Sequence, residues 1–111
     1  MLLVLVGVFM SRSDRIMLTS KQRAHLRGLG HNLEPIFLIG KGGVTDTMIK
    51  EIDITLEKRE LIKLKILNNS VEEPREASNQ IAEELGADVV QVIGGKFILY
   101  RPSKENPQIV I

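Results

Sequence analysis

Residues 61–67, Leu61-Ile62-Lys63-Leu64-Lys65-Ile66-Leu67, place apolar side chains at 62, 64 and 66 and lysines at 63 and 65. A period of two is that of a β-strand, whose side chains point in turn to opposite faces of a sheet. One face of this strand is built for burial and the other is polar. Whatever else the chain does, it must supply apolar surface to cover that buried face. At 111 residues there is room for one ordinary domain to do so.

The flanking patterns alternate with the strand. Thr19 followed by Gln22 matches a capping box, so a helix is expected to start there. Gln22, Leu26, Leu29 and Leu33 follow helical spacing, and the three leucines are expected to bury one stripe, with Arg23 and Arg27 sharing another face. Gly28 and Gly30 weaken the last turns by about 1 kcal/mol each relative to Ala. After Pro35, the run Ile36-Phe37-Leu38-Ile39 is apolar on both faces, as expected of a buried central strand. A second helix follows Gly40-Lys41-Gly42-Gly43, with Val44, Met48, Ile49, Ile52 and Leu56 on its apolar side. Pro74 suits the first turn of a third helix, which buries Ala77, Ile81, Ala82 and Leu85 and stops at Gly86. Two β-rich runs, 89–93 and 96–101, flank Gly94-Gly95 as a hairpin would. The expected order is α-β-α-β-α-β-β: an α/β (α+β) domain in which a mixed four-stranded sheet packs with three helices.

Residues 1–10 are almost purely apolar, but the run ends at Ser11-Arg12 and falls short of the ~20 residues of a membrane span. A basic n-region and a good cleavage site are missing, so it does not read as a secretory signal. Residues 1–16 are expected to be a non-essential extension from an upstream start assignment. Residues 17–102 then form the domain, and 103–111 a loose tail.

Composition narrows the chemistry. With no cysteine and two histidines, His25 and His31, the chain has no disulfide framework, thiol nucleophile or obvious metal cage. No Ser, His and carboxylate set suggests catalysis, so a cytoplasmic, non-enzymatic domain without cofactors is expected. The net charge of +1 conceals an asymmetry: residues 1–65 carry eleven Lys/Arg against seven Asp/Glu, and residues 66–111 four against seven. Residues 12–41 hold the densest basic stretch, including Lys21, Arg23, Arg27 and Lys41, and such a face fits nucleic acid as a partner.

Gly40–Gly43 is the loop with a specific capability. Three glycines in four residues allow positive φ and close approach of a ligand, and a helix start behind them offers N–H groups and a positive dipole end to an anion. Lys41 adds a cation. Gly-x-x-Gly loops of KH domains clamp a sugar–phosphate backbone in this way. A tight turn with no ligand is the plainer reading. Neither a mononucleotide P-loop nor a dinucleotide fingerprint can be written here. Lys63 and Lys65 could line a basic strand face, although solvated strand lysines are common. Tyr100-Arg101 could offer a ring and a phosphate contact, but Tyr100 in an apolar strand suits a core. Glu72-Glu73 and Glu83-Glu84 read as solvated surface.

Leu18-Thr19-Ser20-Lys21-Gln22-Arg23, Leu26-Arg27, His31, Pro35, Ile39-Gly40-Lys41-Gly42-Gly43, Glu60-Leu61-Ile62-Lys63 and Leu99-Tyr100-Arg101-Pro102, in that order, resemble the CRM (chloroplast RNA splicing and ribosome maturation) domain, in its stand-alone bacterial YhbY-like form. The resemblance covers roughly residues 17–110. It implies a fold similar to the C-terminal domain of translation initiation factor three. It also implies RNA binding through Gly40, Lys41, Gly42 and Gly43 with the basic residues Lys21, Arg23, Arg27 and Arg101. The implied partner is ribosomal RNA or a precursor of the large ribosomal subunit, bound by a monomer with no membrane involvement. Arg59 stands where the family often has His, residues 1–16 have no counterpart, and the net charge is modest for an RNA binder. Two other classes stay open on the residues alone: an enzyme or sensor for a phosphorylated metabolite at the same loop, and a protein-interaction module using a strand edge.

Overall fold

The computed structural model describes residues 18–110; the expectation for residues 1–16 lies outside them. The elements are α1 (Ser20–Gly30), β1 (Pro35–Ile39), α2 (Asp46–Arg59), β2 (Leu61–Ile66), α3 (Pro74–Leu85), β3 (Asp88–Ile93) and β4 (Lys96–Tyr100). The order is the one the patterns predict. Local chemistry sets the ends. At α1, Thr19 Oγ1 accepts the Gln22 N–H at 3.0 Å and the Gln22 side chain accepts the Thr19 N–H at 2.9 Å, a complete capping box. Pro74 opens α3, and Gly86 closes it in the left-handed region with φ 65°.

The sheet order is β1-β2-β4-β3, with β1 parallel to β2 and the other two pairs antiparallel. Ile62, Leu64 and Ile66 of β2 join Phe97 and Leu99 of β4 in a core closed by Ile52 and Leu56 of α2 and by Ala77, Ile81 and Ala82 of α3. On the opposite face, Leu26 of α1 packs with Leu61, Val90, Ile98 and Tyr100. The domain is therefore three layers deep, with two helices on one face of the sheet and one on the other.

Two expectations fail, for related reasons. β1 is an edge strand rather than a central one, and Ile36 and Leu38 are 42% and 55% exposed. Only Phe37 and Ile39 of its apolar run reach the core. The leucine stripe of α1 is not buried either, since Leu29 and Leu33 stay exposed and Leu26 alone enters the core. The helix meets the sheet through Leu26 and Gly30. A Cβ built on Gly30 would lie 2.8 Å from Ile98 Cδ1, so the missing side chain is what brings helix and strand together. Gly30 is four residues, one helical turn, beyond Leu26, which fixes that line as the contact and turns Leu29 aside.

The C-terminal segment, expected as a loose tail, is tied to the end of α2. Glu60 is 2% exposed, and its carboxylate accepts N–H bonds from Ser103 (2.8 Å), Gln108 (2.8 Å) and Ile109 (2.9 Å). Its backbone turns from helix into strand at φ 67°, while its carbonyl accepts the Arg101 N–H at 2.9 Å. Glu57 accepts the Ser103 hydroxyl at 2.6 Å and the Lys104 N–H. Burial pushes the Glu60 carboxyl upward, but its three backbone donors together outweigh burial and hold it below its ordinary value. The Ser103 hydroxyl and the Lys104 N–H hold Glu57 low.

Because both folded values lie below 4.5, this stabilisation is complete above that pH and is lost as pH falls through them. Glu60→Ala leaves buried N–H groups unpaired and should lower stability by about 3 kcal/mol at neutral pH. Thermal melts from pH 7 to 3 should drop steeply below 4.5 for the natural chain and less steeply for Glu60→Gln.

Candidate nucleic-acid interface

β1 delivers the glycine loop to one end of the sheet. In the parallel pair, Ile39 lies opposite Ile66, and its carbonyl accepts the Leu67 N–H at 2.8 Å. The chain then turns through Lys41 and Gly42, with the Gly43 N–H donating to the Gly40 carbonyl at 3.0 Å. Gly43 is buried at φ 68°, and a Cβ there would meet Glu72 Oε2 at 2.9 Å. The fold requires glycine at that position. At Gly42 a Cβ would have nothing within 4 Å, and at Gly40 it would make only ordinary contact with Leu67 and Asn69.

The start of α2 is less open to an anion than the sequence suggests. Val44 donates its N–H to Glu72 Oε2 at 2.9 Å, and the Met48 N–H is taken by the Thr45 hydroxyl at 3.2 Å. Glu72, expected as solvated surface, thus sits with its carboxylate at the loop. Its own N–H donates to Ser70 Oγ at 3.1 Å. Nothing local in the sequence signals this contact, which joins residues 28 apart. What remains for a ligand is the loop tip: Lys41 and Gly42 are exposed, and no hydrogen bond to another described residue engages either amide.

The other candidates divide. Arg101 is 9% exposed and committed within the fold: its guanidinium donates to Asp53 Oδ1 (2.6 Å), the Asp53 carbonyl (2.9 Å) and the Leu85 carbonyl (3.0 Å). Arg23 donates to the carbonyl of Val89, near the start of edge strand β3. That is the far end of the sheet from the glycine loop and the opposite edge. Arg27 is half-buried one turn further along α1, and Lys21 is exposed beside a shallow depression it lines with Thr19, Gln22, His25 and Val110. The structure therefore does not gather Lys21, Arg23 and Arg27 around the loop. Tyr100 is buried in the α1-side core. Lys63 Nζ donates to the His31 carbonyl at 3.1 Å, closing the end of α1. Among the described residues, no group of three or more His, Cys, Asp or Glu could hold a metal ion, and no helix is long and apolar enough to cross a membrane.

The last two glycines of the loop separate by their demand on the backbone. Gly43→Ala should destabilise the domain by about 1–3 kcal/mol through its positive φ and its contact with Glu72. Gly42→Ala should leave the melting temperature within a degree or two, since surface changes without such a constraint stay within about 0.5 kcal/mol.

Comparison with known proteins agrees with this architecture. A family model of the CRS1 / YhbY (CRM) domain matches residues 18–101. The "Probable RNA-binding protein YqeI" of Bacillus subtilis is 47% identical over 93 residues, covering 84% of this chain and 97% of that protein. An "RNA-binding protein" of Haemophilus influenzae is 40% identical over 88 residues, covering 79% of this chain and 89% of its own length. A solution structure from Staphylococcus aureus, put forward as that of an RNA-binding protein, superposes with a TM-score of 0.72 at 49% identity, covering 86% of this chain and 99% of that one. With the family model spanning most of the chain and these relatives matched over nearly their whole length, the chain belongs to the CRS1/YhbY (CRM) domain family.

Proposed function

We propose that this protein is a monomeric, non-enzymatic RNA-binding domain that acts in the cytoplasm on ribosomal RNA of large-subunit precursors during ribosome assembly, with the Gly40–Gly43 loop contacting the RNA backbone. RNA binding is the property named for its relatives in Bacillus subtilis and Haemophilus influenzae. The observation that carries the loop assignment is Gly42. It is exposed, has open space where a Cβ would stand, and lies beside Lys41 with both amides turned to no partner in the described fold. A glycine that the backbone does not require suits a surface where a sugar–phosphate chain comes close.

Glu72 decides the form of the contact. With its carboxylate on the Val44 N–H, the start of α2 is not a cradle for a free phosphate, and an RNA strand passing over Lys41 and Gly42 fits better than an enclosed metabolite. Lys21 and Arg27 of α1 add basic surface elsewhere on the domain. Arg101, held by Asp53 and Leu85, has no place in the interface.

Lys41→Ala should weaken binding to single-stranded and precursor ribosomal RNA several-fold and reduce the log–log salt slope by about 0.7, the share of one phosphate contact on a single strand. Gly42→Asp should weaken it further. Fluorescence anisotropy between 50 and 200 mM salt reads both quantities. Unchanged affinity and slope in Lys41→Ala would remove the loop from the interface, and saturable binding of a free nucleotide with no RNA affinity would favour the metabolite reading.

A further inference from the structure

The loop is one end of a larger surface. Leu38 of β1 lies opposite Lys65 of β2, Lys65 lies opposite Lys96 of β4, and Lys96 lies opposite Ile93 of β3. The four side chains form one continuous row across all four strands. Their neighbours along the strands, Ile39, Leu64, Ile66, Phe97 and Val92, point into the core beneath α2 and α3, so the row faces the other way, on the α1 side. There α1 reaches Ile98 through Gly30 and Lys63 through the His31 carbonyl, and stops one row short. Leu38 and Ile93 are 55% and 63% exposed, and Lys96 is exposed with them. The ammonium groups of Lys65 and Lys96 make no hydrogen bond or ion pair to another described residue.

Two features identify the occupant. The first is charge: the strands carry three lysines, and their one acidic residue, Asp88, sits at the opposite end of β3 beside Tyr100. Two directly opposed lysines repel one another, and a negatively charged partner lying across both relieves that repulsion. The second is continuity: Leu38 is two residues before Gly40, so the row adjoins the start of the glycine loop. Four strands span about 14 Å, room for about two or three nucleotides.

We propose that this row is a second RNA contact, in which a single strand leaving the Gly40–Gly43 loop crosses the open end of the sheet with its phosphates over Lys65 and Lys96 and its riboses and bases against Leu38 and Ile93. The inference rests on the RNA-binding reading above. With no aromatic ring in the row, the contact lacks base stacking and is mainly electrostatic, sensitive to salt and tolerant of base identity.

The test compares the natural chain, Lys41→Ala and the Lys65→Gln/Lys96→Gln pair on RNA of four and of twelve nucleotides. On the longer RNA the lysine pair should lose about tenfold in affinity and about 1.4 in salt slope, equal to two single-strand contacts. On the shorter RNA it should change less than about twofold, and Lys65→Arg/Lys96→Arg should restore binding to the longer one. Should the glutamine pair aggregate, crosslinking of thiouridine-bearing RNA to the natural chain decides, with Leu38, Lys65 or Lys96 peptides expected to carry the adduct. If Lys41→Ala weakens binding while the glutamine pair binds both lengths unchanged, the row is overturned and the loop stands. If the natural chain binds neither RNA, both fall. Burial of the row in a concentration-dependent dimer, with no effect of RNA, also overturns it.

Discussion

The alternation along β2 governs the domain. This strand is hydrogen-bonded on both sides, parallel to β1 and antiparallel to β4. Its even-numbered residues therefore decide which face of the whole sheet receives α2 and α3. A slip of one residue would turn Lys63 and Lys65 into that core and Ile62, Leu64 and Ile66 out of it, at a cost of several kcal/mol for each buried unpaired charge. The same alternation that fixes the register also leaves lysines on the face that α1 covers only in part. Fold and basic surface follow from one pattern.

The residues that carry the family resemblance serve two different ends. Glu60 and Arg101 hold the molecule together. Glu60 adopts a positive φ that glycine would adopt more easily, yet glycine would supply no carboxylate to gather three backbone N–H groups from the C-terminal segment. Arg101 ties the end of β4 to α2 through Asp53 and to the end of α3 through Leu85. Gly43 belongs to this group as well, because its positive φ and the Glu72 carboxylate beside it would strain any side chain there. Lys41 and Gly42 are different: both are exposed and neither answers a demand of the fold. A motif of four residues thus contains a structural member and two members free to meet a ligand.

Much of this was legible in the sequence because it is local. Capping at Thr19, the proline start and glycine stop of α3, the Gly94-Gly95 hairpin and the alternation of β2 all depend on residues within a few positions of one another. What the sequence hid is set by contacts between distant segments. The apolar run of β1 looks central, but strand order makes it an edge. Gly30 looks like a weak point in α1 until Ile98 is seen beneath it. Glu72 looks solvated until the chain brings it to Val44. Arg101, with a cationic side chain near a ring, has the composition of a nucleic-acid contact and the burial of a structural clasp. Arg23 likewise lies far from Lys41, since linear density of charge says nothing of which end of a sheet each residue reaches.

The proposed RNA contact lies at the exposed end of the sheet, and not at the buried arginine or the start of α1. Titration of the isotope-labelled protein with single-stranded RNA, followed by backbone amide chemical shifts, tests it residue by residue. The Lys41 and Gly42 amides should move first and furthest, while Glu60, Arg101 and Ser103 stay in place. Large shifts centred on Lys21 and Arg23, with the glycine loop unmoved, would contradict it.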